Sequence, residues 1–359
     1  MGHRYIGSKL RILDTVISKM QSLVTSGDTI TDLMCGTATV SIELRRKNFR
    51  VIANDLMTYS YHHAVTGLKL SEEPSFIGAQ EFISEILRDN KSCQFDDSGY
   101  GRMLSALSDV DAIKGYFWNE FSSDGVPRNT ERPRNYFSPN NAEKIDGIRQ
   151  SISYLYKSRK ITEEEYSLLQ HDLIMAANDI ANIAGTYGHY LANLGGRAKD
   201  DLSLKKSQLF LKNDKDDHTV LRGYAEDVSG DISCDLCYID PPYMKRQYAA
   251  NYHILETLAR GDEPEAIGVS GLRPWRDQYS NFCTKTKIRD SFKKIFSDMN
   301  CPQFLISYSE DGLLTVEDFE KLLKPFGTLT IDEFSHKRFK SNKSQLKSSL
   351  TEYLIHIEK

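Results

Sequence analysis

The chain has 359 residues, 40% of them hydrophobic and 27% charged, which suits one large domain or two and excludes general disorder. The formal net charge of −4 argues against a uniformly basic surface, so any contact with nucleic acid must come from local basic stretches. No apolar run approaches the ~18–20 residues of a membrane span.

The opening "MGHRYIGSKLRIL" is charged early and lacks the apolar core of a signal peptide. Ile6 stands where a myristoylation signal needs a hydroxyl residue. A soluble intracellular protein is the expectation.

In chain order, residues 9–26 repeat Leu10, Leu13, Val16, Ile17, Met20 and Leu23 at helical spacing. "DTITDLMCGTATV" then predicts a strand, a glycine turn and a helix start. "VSIELRRKN" continues that helix, and "FRVIAND" is a second short strand. Strand, turn, helix and strand in this order make a βαβ unit and a parallel sheet. A further helix is predicted around Tyr59–Leu70. From 71 to 217 the sheet signal stops and the chain turns polar, aromatic-rich and helical. Its clearest helices are "NAEKIDGIRQSISYLYKSR" and "TEEEYSLLQHDLIMAANDIANIAG". Sheet signals return in "VLRGYAEDV", "CDLCYID", "CPQFLISYS", "GTLTIDEFS" and "TEYLIHIEK", with helices "KIRDSFKKIFSDM" and "TVEDFEKLLKPF" among them. The expected organisation is an α/β domain of residues 1–70 and 218–359, split by a mainly helical insertion of residues 71–217.

Six cysteines, Cys35, Cys93, Cys234, Cys237, Cys283 and Cys301, do not make a disulfide framework in a chain this long. Cys234 and Cys237 have the spacing of a redox or zinc pair. In a strand, however, residues three apart point to opposite faces, and no second pair completes a metal site. No metal is expected.

Two motifs carry chemistry. In "DLMCGTATVS" (32–41) a glycine turn joins the first strand to its helix, which lets a ligand approach the backbone. Asp55 ends the next strand, where an acid can accept both hydroxyls of a ribose. Gly36 is the lone glycine of the turn, so a dinucleotide fingerprint is absent and a cofactor without pyrophosphate fits better. The alternative role for Asp55 is a helix N-cap.

The second motif, "DPPY" (240–243), ends a strand with a carboxylate, two prolines and a ring. An exocyclic amino group on a base is a poor nucleophile because its lone pair is conjugated into the ring. Accepting hydrogen bonds from both its protons favours a tetrahedral nitrogen and the positive charge that grows as it attacks. Asp240 supplies one acceptor. Pro241 supplies a carbonyl aimed by its fixed φ, and Tyr243 offers a face for stacking. The set suits methylation of an amino nitrogen.

With these motifs the chain resembles the adenine-specific DNA methyltransferases of the Dam-like class, nearest their FokI-type relatives. "RYIGSK" (4–9), "DLMCGTATVS", "NDL" (54–56), "AEDV" (225–228) and "DPPYMKRQYAANYHILETLA" (240–259) follow the class in order and spacing. "RNYFSPNNAEKIDGIR" (134–149), "ANIAGTYGHYL" (181–191), "HKRFKS" (336–341) and "EYLI" (352–355) are similar to the FokI-type group, so the resemblance runs over nearly the whole chain.

The resemblance implies a Rossmann-like S-adenosylmethionine-dependent fold. It implies methyl transfer to the N6 amino group of adenine in duplex DNA, with base flipping, within a restriction-modification or related system. It places Asp240, Pro241, Pro242 and Tyr243 in the catalytic site. It places Tyr5, Ile6, Lys9, Asp32, Cys35, Gly36, Thr37, Asp55, Leu56, Asp227, Val228 and Asp240 around the cofactor, with "AEDV" as the strand beside the adenine ring. The insertion would read the DNA, and Arg134, Tyr136, Arg197, Lys337, Arg338 and Lys340 are the candidate DNA contacts. A prokaryotic, cytoplasmic, DNA-associated protein is implied, with room for a separately encoded restriction endonuclease. The chain departs from the class at Met34, in place of the usual Phe, and at Ala38, in place of a second Gly.

Overall fold

A computed structural model describes residues 9–89, 94–210, 217–337 and 349–359. The chain forms two compact units, one from Gly7–Ala64, Asp214–Tyr248 and Gln278–Lys359, the other from Met1–Ile6, Val65–Asn213 and Ala249–Asp277. The first holds a seven-stranded sheet of β1 (Thr29–Asp32), β2 (Arg50–Asp55), β3 (Thr219–Arg222), β4 (Leu236–Ile239), β5 (Gln303–Ser309), β6 (Thr328–Lys337) and β7 (Ser349–Glu358). Their order is β3-β2-β1-β4-β5-β7-β6. β1 to β5 run parallel to one another, and β7 lies antiparallel to both β5 and β6. This is the expected Rossmann-like α/β plan, extended at one edge by the antiparallel β7 and by β6.

The strand sequences explain the order. All four residues of β4, "LCYI", are buried, as a parallel strand covered on both faces requires. Ile239, Phe304, Ile306, Ile355 and Ile357 share one cluster with Phe292, Ile295, Phe296, Phe319 and Leu323 of the helices Ile288–Asp298 and Val316–Leu323. Each such side chain removed from water stabilises the fold by roughly 1.5–3 kcal/mol, so this layer outweighs any surface ion pair of the unit. The helix Leu13–Leu23 buries Val16, Ile17 and Met20 at helical spacing, and the 3-10 turn Lys9–Arg11 precedes it.

β1 is flanked by β2 on one side and by β4 on the other, so the strand order reverses between β1 and β4. At such a switch point the connections leave in opposite directions and open a crevice at the carboxyl ends of the strands. Both chemical motifs lie there. "AEDV", expected as a strand, is instead the short helix Ala225–Val228 that follows β3.

The second unit is mainly helical, as expected. Its long helices, Pro139–Lys157 and Glu163–Asp179, start where the sequence supplies caps. Ser138 accepts from the Asn141 N–H ahead of Pro139, and Thr162 forms a capping box with Glu165.

Residues 249–277 belong to this unit, although the sequence reading places them with the sheet. The reason is visible in their bonds. His253 Nε2 lies 3.0 Å from the Tyr187 carbonyl, the Tyr187 N–H donates to the Asn251 carbonyl at 2.8 Å, and Arg149 pairs with Glu263 at 3.0 Å. Among the described residues, no helix is long and apolar enough to cross a membrane.

Candidate active site

The turn after β1 is built by backbone conformation and held by Asp55. Gly36 and Ala38 both adopt left-handed backbone, at φ 53° and φ 57°. Glycine does so freely, whereas an L-residue carries a cost of roughly 1–2 kcal/mol. This explains why glycine suits position 38 and what Ala38 gives up. The Gly36 N–H donates to Asp55 Oδ2 at 2.8 Å, and the Met57 N–H donates to Asp55 Oδ1 at 2.8 Å. Asp55 therefore clamps the glycine turn to the end of β2 and shapes the entry to the next helix.

Beside it, Asn54 Nδ2 donates to the carbonyls of Leu33 and Gly223 at 3.0 and 3.2 Å, tying the ends of three strands together. A Cβ at Gly223 would lie 2.8 Å from Val228 Cγ1, so glycine there lets the helix Ala225–Val228 fold close to the strand ends. Asp227 on that helix is exposed, while its neighbour Glu226 is buried and accepts from Ser291 Oγ at 2.6 Å. Leu56 and Thr37 are half-buried, and Cys35 is buried.

Asp32 ends β1, is 1% exposed and accepts from Ser41 Oγ at 2.6 Å. Burial raises its pKa to about 7 despite that hydrogen bond, and the charges of Asp240 and Asp55 push the same way. Its Oδ1, and Asn54 Oδ1 nearby, are buried without a hydrogen-bond partner among the described residues.

β4 delivers Asp240 to the same edge. Lys9 Nζ lies 3.0 Å from Asp240 Oδ1, and the ammonium also sits 5.6 Å from the centre of the Tyr243 ring. Burial raises the Asp240 pKa to about 6, with Lys9 opposing the rise. Burial works against the charge of Lys9, but Asp240, Glu352 and Tyr243 outweigh it and hold its pKa above the ordinary lysine value. Tyr243 is half-buried and tilted against Tyr308, with ring centres 5.9 Å apart. Its carbonyl accepts from the Leu313 N–H at 3.1 Å, and burial pushes its phenol up to about 12. The site thus holds a carboxylate, a buried cation and a neutral phenol ring at the carboxyl end of β4.

The structure brings Lys9, Asp32, Cys35, Gly36, Thr37, Asp55, Leu56, Val228 and Asp240–Tyr243 to the carboxyl edge of one sheet. Tyr5 and Ile6 lie outside the described residues, as do Arg338 and Lys340. Lys337 ends β6, but its side chain is not described.

Two of the candidate DNA contacts are corrected. Arg134 is 0% exposed, pairs with Glu120 at 2.5 Å and donates to the Ala266 and Gly268 carbonyls. Tyr136 is also 0% exposed and donates to the Tyr187 and Ser270 carbonyls. Both are spent inside the helical unit. Arg197 and Lys199 are exposed, whereas Lys205 and Lys206 are engaged with Asp179 and with Glu73 and Asp96.

Three contributors escape a reading by motif. Asn54 and Ser41 stand inside quoted motifs and show their roles only through side-chain partners. Glu352 likewise opens the quoted "EYLI" (352–355), in phase with Leu354 and His356, and shows its place only through Lys9.

These features are those of a family. The model of the D12 class N6 adenine-specific DNA methyltransferases matches residues 5–322, and the chain belongs to that family. It is similar to the type II methyltransferase M.FokI of Planomicrobium okeanokoites, with 32% identity over 99% of this chain and 52% of that protein. It is 30% identical to the modification methylase StsI of Streptococcus sanguinis, over 99% of this chain and 52% of that one. With the type II methyltransferase M.NlaIII of Neisseria lactamica it shares 30% identity over 99% of both chains. The chain therefore spans about half the length of the first two relatives and nearly all of the third. Among solved structures, the precorrin-6y C5,15-methyltransferase of Geobacter metallireducens GS-15 aligns at 10% identity, TM-score 0.31, over 98% of this chain and 90% of that one. That likeness carries no argument.

Proposed function

We propose that this chain transfers a methyl group from S-adenosylmethionine to the N6 amino group of adenine in duplex DNA, as the modification arm of a restriction-modification system. The observation that carries the reading is the meeting of two motifs at one switch point. The Gly36–Asp55 clamp closes the β1 side, and Asp240-Pro-Pro-Tyr243 ends β4 on the adjacent strand.

The residues present fit the cofactor. Asp55 offers carboxylate acceptors suited to ribose hydroxyls. The partnerless oxygens Asp32 Oδ1 and Asn54 Oδ1 are acceptors left over at the turn. Asp227, exposed on the helix after β3, suits an adenine amino group, and the half-buried Leu56 and Val228 suit the apolar faces of its ring. When bound, S-adenosylmethionine supplies a methyl group made electrophilic by a sulfonium.

The chain's own residues do the rest. A target adenine in a duplex must leave the stack to be reached. Tyr243 stacks on it. Asp240 and the Pro241 carbonyl accept the two protons of its amino group, which concentrates electron density on nitrogen as it attacks. Pro242 stiffens the turn that aims the carbonyl. Catalysis here is positioning and charge placement, with no covalent enzyme nucleophile.

The helical unit is the proposed reader of the DNA sequence. Arg197 and the basic stretch through Lys337, Arg338 and Lys340 are the proposed phosphate contacts, and a separately encoded endonuclease is the proposed biological partner.

The test is Asp240→Ala in a methyl-transfer assay on duplex DNA. Transfer should fall at least a thousandfold, on the scale of lost electrostatic catalysis, in protein that circular dichroism shows to be folded. Full activity in that variant would remove the mechanism.

A further inference from the structure

The loop after the catalytic motif is fixed by its backbone and offers its side chains to solvent. The Tyr243 carbonyl accepts from the Leu313 N–H at 3.1 Å, and the Arg246 carbonyl accepts from the Cys283 thiol at 3.3 Å. Gln247 joins Ser280 twice, donating to its carbonyl at 2.9 Å and accepting from its N–H at 2.8 Å. The segment beyond is itself anchored, by Phe282 in the buried hydrophobic cluster and by Asn281, which donates to the buried Glu226 at 3.3 Å. Between these anchors Met244, Lys245 and Arg246 are exposed. Arg289 and Lys294 of the same unit pair with Asp318 and Asp298, whereas neither Lys245 nor Arg246 makes an ion pair among the described residues.

We propose that Lys245 and Arg246 are positioning residues that hold the DNA phosphates flanking the target adenine while its base lies on Tyr243. The inference rests on the methyl-transfer reading of this site and adds the contact that fixes the strand beside it. A base on the Tyr243 ring brings the phosphates on both sides of its own sugar to that end of β4. Arg246 follows Tyr243 by three residues, no more than about 11 Å of extended chain, so both cations start within reach of those phosphates. Lysine meets a phosphate as a point charge and arginine as a two-pronged donor. An extruded nucleotide turns about its backbone, and phosphates gripped on both sides set that axis. The pinned backbone lowers the ordering cost of the grip, because only the two side chains have to be fixed.

The test compares wild type with the double variant Lys245→Gln, Arg246→Gln on a duplex that wild type methylates. Removing two phosphate contacts should make the slope of log affinity against log salt shallower by about 2. The KM for DNA should rise about tenfold or more, the scale of lost charge-assisted hydrogen bonds, with a smaller change in kcat. Affinity for S-adenosylmethionine should be unchanged, which reports a folded site. Uncharged methylphosphonate linkages on both sides of the target adenine should raise the KM of wild type and add little in the double variant. A merely structural role for the loop would leave the salt slope in place and make the two losses add. An unchanged slope, or equal penalties from the uncharged linkages in both proteins, overturns the inference. Should the double variant lose S-adenosylmethionine binding, wild type alone decides, and a KM indifferent to the uncharged linkages overturns it. A wild-type chain that methylates no DNA overturns the proposed function, and this inference with it.

Discussion

The N–H of Gly36 is bonded to the carboxylate of Asp55 at 2.8 Å, joining the turn after β1 to the end of β2. One side chain therefore shapes the glycine turn and presents acceptors beside it. Replacing Asp55 with Ala should lower S-adenosylmethionine affinity about 10–100-fold. It should also cost about 2 kcal/mol of stability, since two backbone donors lose a charged acceptor. Calorimetric titration and a thermal melt separate the effects. A stability loss with unchanged affinity would reduce Asp55 to a turn former.

In the proposed mechanism Asp240 accepts from the amino group as a carboxylate, and burial has raised its pKa to about 6. The groups facing it are Lys9, Glu352, Tyr243, Tyr238 and Asp32. Turnover should therefore fall about tenfold per pH unit below about 6. A profile of kcat against pH that stays flat to pH 5 would show that the charge of Asp240 is not required.

Arg134 and Glu120 form a buried pair in the helical unit. Arg134→Ala strands Glu120 in the interior and should destabilise that unit by about 3–5 kcal/mol. Chemical denaturation measures this. A loss of DNA affinity with unchanged stability would return Arg134 to the DNA-contacting role that its burial argues against.

Asp172 is buried, accepts from Tyr100 at 2.6 Å and from Ser207 at 3.0 Å, and has its pKa raised by burial to about 8. An acid whose folded pKa is raised holds its proton more tightly in the folded state. Its contribution to stability is full below the ordinary aspartate pKa and is lost as pH rises toward 8. Asp32, raised to about 7, acts in the same direction. Stability should fall between pH 5 and 8, and Asp172→Asn should flatten part of that slope. A steeper slope in the variant would contradict the assignment.

How much of this was legible in the sequence depends on the range of each interaction. β1, its turn, its helix and β2 follow from local periodicity and one glycine. β4 follows from a buried run cut off by two prolines. Residue type points Arg134 and Tyr136 toward DNA, while their partners Glu120, Ala266, Gly268 and Ser270 lie elsewhere in the chain. A motif that begins at Asp240 ties the segment 249–277 to the sheet, and only its contacts with Tyr187 and Arg149 reveal the other unit. Ala225–Val228 reads as the end of a strand, yet Gly223 permits the backbone to turn there. Glu352 opens the quoted "EYLI", but its place near Lys9 follows only from the strand order that sets β7 beside β5.

Mapping methylated bases in DNA from cells that express this chain decides whether it modifies adenine. N6-methyladenine is expected at one defined sequence and is expected to be absent from cells expressing Asp240→Ala. DNA without N6-methyladenine, or with the methyl group on cytosine, from cells holding folded protein would contradict the proposed function.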